Sequence, residues 1–127
     1  MTIDASALAD AAKSAMEHAY APYSGFRVGA ALLGHSGKIY TGCNVENASY
    51  SVTNCAERTA LFKAVSEGER DFDAIAIVSS SGKKTPPCGV CRQALSEFAP
   101  KLTLYLVHDG GICETTLPEI FGIPFEL

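Results

Sequence analysis

Cys55-Ala56-Glu57, answered further along by Pro87-Cys88-Gly89-Val90-Cys91, is the pair of stretches from which the rest of this chain can be read. Three cysteines supply what a catalytic zinc takes from a protein: three ligands, thiolate among the preferred types, with a fourth position left for water. Cys88 and Cys91 stand three apart, so in the first turn of a helix their sulfurs share a face. Cys55 and Glu57 stand two apart and would point to nearly opposite sides of a helix interior. Both serve one ion only if it lies off the helix end, near Cys55 at the N-terminus. Thr53 and Asn54 are N-cap candidates before the helix-forming run Ala56 to Glu67, and Pro87 fits the entry to a second helix carrying Cys91 to Phe98. Two helix N-termini are thus expected to meet at one ion, where their positive dipole ends favour thiolate over thiol.

Three sulfurs complete the protein's share of the coordination, which leaves the Glu57 carboxylate to take a proton from water. A carboxylate that is not a ligand does this beside the three-cysteine or mixed histidine-cysteine zinc of nucleobase deaminases. Phe26 to Leu33 (FRVGAALL), Gly42 to Tyr50 (GCNVENASY), Cys55 to Leu61 (CAERTAL), Lys63 to Gly68 (KAVSEG) and Pro87 to Gln93 (PCGVCRQ) together resemble the small cytidine deaminases of the homotetrameric, three-cysteine branch. The resemblance is close from Pro22 to Gln93 and looser from there to the C-terminus. A lone C-x-x-C would carry little; several motifs in one order at compatible spacings carry much more.

The resemblance implies one zinc per subunit and hydrolytic deamination of cytidine and deoxycytidine to uridine and deoxyuridine with release of ammonia, as in pyrimidine salvage. Glu57 then passes protons to the ring N3 and the departing amine. Alternation along an extended segment puts Asn44 and Glu46 on one side, where an amide and a carboxylate can bracket a vicinal diol. The matching residues of the family hold the ribose. Phe26 carries over as an apolar wall near the nucleoside, and backbone groups beside Ala56 and Pro87 are expected contacts of the base. Tyr50 matches a position that approaches an adjacent subunit's site. Aligned from Thr115-Thr116, Phe125 matches the aromatic that a neighbour lends, with Phe121 a second candidate. The implied assembly is a homotetramer with shared active sites.

Charge counting adds a residue. Three thiolates on Zn²⁺ leave a formal charge of about -1, which makes the ion a poorer Lewis acid than a neutral three-histidine site. Arg58 follows Glu57 and Arg92 follows Cys91, so either could donate hydrogen bonds to a sulfur. The resemblance favours Arg58.

A chain of 127 residues with 47% hydrophobic content suits one domain over residues 1–127. A net charge of -4, with Lys83-Lys84 the only adjacent basic pair, argues against a phosphate-tracking surface and so for a free nucleoside rather than a nucleic acid. Met1 to Tyr20 lacks both a basic leader and a continuous apolar stretch, and no run approaches the roughly 18 apolar residues of a membrane span. Five cysteines without such a leader point to the cytoplasm rather than to a disulfide framework. Cys43 and Cys113, left over after zinc, read as small hydrophobes in strands.

In chain order, Asp4 to Tyr20 reads as an amphipathic helix with Ile3, Leu8, Ala12, Ala15, Met16 and Ala19 on its stripe. His18 near its end has no spaced partner and reads as a surface group. Phe26 to Leu33 and Lys38 to Asn44 form a hairpin across Gly34-His35-Ser36-Gly37. Asp73 to Ser79, the second zinc helix and Leu102 to Val107 make a right-handed crossover and a parallel pair. Ile112 to Thr116 then turns back antiparallel. The expected fold is α/β: a five-stranded mixed sheet covered by helices in three α-β-α layers.

Two other readings compete. A deaminase of another small substrate, such as an aminopyrimidine antibiotic, is disfavoured by Asn44-Val45-Glu46 with Phe26. A structural zinc module should be closed by four protein ligands, and no fourth Cys or His stands at a convincing spacing.

Overall fold

Alternation along the central strands sorts their side chains onto two faces of unlike size. In β3 (Phe72–Ser79), Ile75 and Ile77 point one way, while Ala74, Ala76 and Val78 point the other. β4 (Thr103–His108) repeats this with Leu104 and Leu106 against Tyr105 and Val107, and β1 (Val28–Gly34) with Ala30 and Leu32 against Ala31. The face of larger residues is covered by α2 (Ala56–Ser66), α3 (Gly89–Phe98) and the short α4 (Leu117–Ile120), through Ala60, Leu61, Leu95 and Leu117 among others. The face of smaller residues takes α1 (Ala5–Met16), through Leu8, Ala9 and Ala12. The computed structural model describes residues 2–127.

With β2 (Ile39–Cys43) and β5 (Gly111–Thr116), the sheet order is β2-β1-β3-β4-β5. β3 and β4 pair in parallel across α3, and every other neighbour pair is antiparallel. This is the three-layer mixed sheet expected from the sequence. Two glycines set how closely the helices approach it. A Cβ on Gly29 would lie 2.1 Å from the Ala12 carbonyl oxygen of α1, and one on Gly42 would lie 2.5 Å from the Ala56 carbonyl oxygen of α2.

α1 is shorter than its apolar stripe predicts. Asp4 caps it, accepting from the Ala7 N–H at 3.0 Å, but the helix ends at Met16 rather than running on to Tyr20. The backbone of Tyr20 is taken by the segment after β2: its N–H donates to Asn44 at 3.0 Å and its carbonyl accepts from Glu46 at 2.8 Å. A strand-like partner thus outcompetes the last helical turn. Among the described residues, no helix is long and apolar enough to cross a membrane.

Candidate active site

The first residues of α2 and α3 build the site, and in both helices the N-cap is itself a cysteine. Cys55 and Cys88 have extended backbone geometry at the N-cap, and neither side chain makes a capping bond. The sequence expectation that Thr53 or Asn54 caps α2 is therefore wrong. Those residues are drawn off by the loop after β2: Asn54 and Val45 exchange backbone hydrogen bonds of 2.9 and 3.0 Å, and the Thr53 hydroxyl accepts from the Asn47 N–H at 3.2 Å.

A side chain at the N-cap lies beside the one three residues on, the geometry by which a capping residue reaches N3. In α3 this relation joins Cys88 to Cys91; in α2 it joins Cys55 to Arg58, whose Nη2 donates to the Cys55 sulfur at 3.2 Å. The sulfurs of Cys55, Cys88 and Cys91 all lie within 4.8 Å of one another. Zinc–sulfur bonds of about 2.3 Å in tetrahedral array would separate sulfurs by about 3.8 Å, so the set fits a single zinc ion. Among the described residues no fourth His, Cys, Asp or Glu joins the group, so a zinc ion held there would keep one coordination position for water.

The proton on the Cys55 sulfur is already loosened. The Cys91 thiol, and after it the Arg58 guanidinium, hold Cys55 down at about 5 against the opposing effect of burial. Cys91 is pushed up in turn, by its bond to Cys55, by burial and by the neighbouring charges of Glu57 and Cys55. One negative charge is thus favoured on the Cys55–Cys91 pair without metal, and a second on that pair requires a cation.

Glu57 stands in the first turn of α2, only 5% exposed and outside the sulfur group. Burial pushes its carboxyl up to about 7, with the Cys55 charge adding to the rise. A buried carboxylate poised near neutrality can both accept and return a proton.

The two candidate arginines have separate duties. Arg58 faces the sulfurs, whereas Arg92 spends its guanidinium on backbone carbonyls, Nε donating to Pro87 at 2.7 Å and Nη1 to Ile120. Because a hydrogen bond from a charged group is worth about 1.5–3 kcal/mol, Arg58→Gln is expected to lower kcat about tenfold or more with zinc retained. A pH–rate profile with zinc content for each protein checks this. Unchanged rates in zinc-replete variant would remove Arg58 from the site.

A cavity of about 210 Å³ opens over Cys55, Ala56, Glu57 and Cys88, with Phe26 and Asn44 among its walls. The Asn44 side chain doubles as a strand partner: Oδ1 accepts from the Val28 N–H at 2.8 Å and Nδ2 donates to the Phe26 carbonyl at 2.7 Å. One N–H and one lone pair remain free of these bonds. Glu46 lies instead in a neighbouring depression of about 410 Å³ with Tyr23, Ser24, Asn47 and Tyr50, and Thr53 borders both hollows. Asn44 and Glu46 therefore do not line one cavity as simple alternation predicts. The regular strand stops at Cys43, and Val45 pairs with Tyr20 and Asn54 instead of continuing β2. Glu46 Oε1 accepts from the N–H groups of Tyr23 and Ser24 at 2.9 and 3.1 Å, and Oε2 from the Ser24 hydroxyl. These bonds, the hydroxyl foremost, hold its carboxyl below the usual range.

Pro87 is fully buried with its carbonyl turned to Arg92, and Thr85 and Pro86 line the cavity in its place. Tyr50 opens a single 3-10 turn, Tyr50–Val52, 78% exposed and edge-on to Tyr23 at 6.4 Å between ring centres. Phe121 packs against the core, whereas Phe125 is 72% exposed on the outer side of α3. Ser24 and Thr85 carry no motif by which the sequence reading would have found them; Ser24 sits in a stretch read only as a helix break. His18 is exposed and outside the sulfur group.

Residues 2–107 match the family model described as the cytidine and deoxycytidylate deaminase zinc-binding region. The chain is 51% identical to a cytidine deaminase of Sporosarcina psychrophila, over 93% of this chain and 88% of that one. It is 52% identical to a cytidine deaminase of Halalkalibacterium halodurans, over 93% and 91%. A crystal structure of cytidine deaminase from Burkholderia pseudomallei superposes with a TM-score of 0.91 at 48% identity, covering 98% of this chain and 100% of that one. With the three sulfurs and the buried carboxylate standing inside the matched region, the chain belongs to the zinc-binding cytidine and deoxycytidylate deaminase family.

Proposed function

We propose that this protein deaminates cytidine and deoxycytidine hydrolytically, giving uridine or deoxyuridine and ammonia, in cytoplasmic pyrimidine salvage. The observation that carries the reading is Glu57: buried in the first turn of α2, beside three clustered sulfurs but not among them, with burial raising its carboxyl. Cytidine deamination is also the named activity of its relatives at 51 and 52% identity.

Cys55, Cys88 and Cys91 would hold a zinc ion, which would supply a Lewis acid able to acidify a bound water. Glu57 accepts the proton of the attacking water. It gives that proton to the ring N3, then takes the second one from the new C4 hydroxyl as the C4 carbonyl forms and delivers it to the amine, which leaves as ammonia, so one carboxylate serves each transfer in turn. Arg58 spreads the thiolate charge through its bond to Cys55. Phe26 walls the base, and the backbone beside Ala56 meets its edge. Asn44 and Glu46 take the sugar hydroxyls, Asn44 through its unused N–H and lone pair, Glu46 through carboxylate lone pairs left over from Ser24 and Tyr23.

The assembly proposed is a homotetramer in which Tyr50 and Phe125 reach neighbouring sites. Support comes from large apolar side chains exposed near the hollows: Tyr20, Tyr23, Phe26, Val45, Tyr50 and Val52 are each more than 40% exposed. A monomer rarely leaves such a set uncovered.

Zinc-loaded protein assayed for ammonia release tests the reaction, and free cytosine tests sugar recognition. Cytosine is expected to fall at least about 100-fold below cytidine in kcat/KM, and Glu46→Ala to cost cytidine about 10- to 100-fold, the worth of a lost charged hydrogen bond. Equal turnover of base and nucleoside by the intact protein would contradict the roles of Asn44 and Glu46.

A further inference from the structure

Two adjacent side chains of α3 hold the end of the chain. Beyond Ile120 the tail buries little: Ile123 is 96% exposed, Phe125 72%, and Leu127 fully exposed. The Phe125 backbone is nonetheless paired in both directions. Its N–H donates to Gln93 Oε1 at 3.0 Å, and its carbonyl accepts from Gln93 Nε2 at 3.1 Å, so the side-chain amide imitates a strand edge. Beside it, Arg92 donates to the Ile120 carbonyl at the start of the tail and to the Pro87 carbonyl just before Cys88. Arg92 and Gln93 directly follow Cys91, whose buried sulfur belongs to the metal-binding group. One turn of α3 therefore carries a zinc ligand inward, braces the residue before another, and fixes the tail at two points.

We infer that Gln93, with Arg92 behind it, is a positioning residue for substrate closure: it pins the Phe125 backbone so that the exposed ring projects from a fixed place on the helix that carries Cys91. The inference rests on the proposed role of Phe125 in a neighbouring site. Gly122 allows the unpinned tail many conformations. A ring that must first be ordered weakens binding by the fraction of time it spends out of place, and that loss appears in KM more than in kcat. Glutamine suits the task because its amide both donates and accepts; a glutamate of the same shape presents only acceptors and meets the Phe125 carbonyl with a negative charge.

The test compares Gln93→Ala, Gln93→Glu, Phe125→Ala and the Gln93→Ala/Phe125→Ala double variant, each as full-length zinc-loaded protein. Gln93→Ala is expected to exchange the Phe125 amide hydrogen about tenfold or more faster, as local opening replaces a closed pair, while Gln93→Glu, which keeps the acceptor for that N–H but repels the Phe125 carbonyl, should fall between Gln93→Ala and the parent. KM for cytidine is expected to rise about 5- to 20-fold, with a smaller change in kcat. The double variant should be no worse than Phe125→Ala, because side chains acting through one another are not additive. Additive losses, or unchanged Phe125 exchange in Gln93→Ala, would overturn the inference, as would altered zinc content or light-scattering mass in that variant. If Phe125→Ala raises KM and Gln93→Ala does not, the clasp alone is refuted. If Phe125→Ala is neutral while Gln93→Ala still frees the tail, the ring has no part in a neighbouring site, and the inference falls with that part of the assembly. Cytidine deamination by the unaltered protein stands on its own assay in every case.

Discussion

Glu57→Gln is expected to keep its zinc and lose at least about 100-fold in kcat, the lower end of what a positioned acid–base group contributes. The exchange is nearly isosteric, and the site already favours a neutral group there, since burial raises the carboxyl to about 7. Folding should therefore be unharmed, and thermal stability should change little. What is lost is proton traffic: an amide accepts no proton from water and returns none to N3 or the amine. KM should move far less than kcat, because a group acting only in the transition state contributes little to ground-state binding. Near-normal turnover in a variant with one zinc per chain would end the assignment.

Cys91→Ala should abolish activity by a different route, through the metal. Cys91 is completely buried, and its sulfur forms the inner corner of the cluster. Structural four-ligand zinc sites bind with roughly 10–16 kcal/mol, so one ligand accounts for about 3 kcal/mol, or more than about 100-fold in affinity. Dialysis against a mild chelator should strip the variant while the parent protein retains zinc, and the melting temperature should fall because the folded state loses a ligand that the unfolded chain binds poorly. Cys43→Ala and Cys113→Ala are the controls. Both residues are half-buried free thiols outside the sulfur group, so neither change should alter zinc content. Full zinc retention by Cys91→Ala under the same dialysis would show that the ion is held elsewhere.

Features that depend on neighbours in sequence were open to reading from the chain alone. Cys88 and Cys91 share a face because residues three apart do so at any helix start, and Cys55 with Glu57 implied a metal off the helix end. Short runs rich in β-branched and apolar residues marked β3 and β4, and the helix between them forced a parallel pair. Charge counting on three thiolates called for a nearby cation, and Arg58 and Arg92 were its candidates from position alone.

The resemblance favoured Arg58 between those arginines, and the tertiary structure supplies the physical reason. Arg92 is claimed by the carbonyls of Pro87 and Ile120, and a backbone carbonyl has no side-chain signature by which a sequence could announce it. The same reason covers the capping of α2, the short α1 and the parting of Asn44 from Glu46. In each, main-chain groups from distant segments pair with one another: Tyr20 with Asn44 and Glu46, and Val45 with Asn54. Sequence by itself determined the sulfurs, the carboxylate and the layered sheet, since side-chain chemistry and local periodicity specify them. Only the tertiary structure decided which polar groups remain free at the site, because every backbone donor and acceptor must find a partner and most of those partners lie far along the chain.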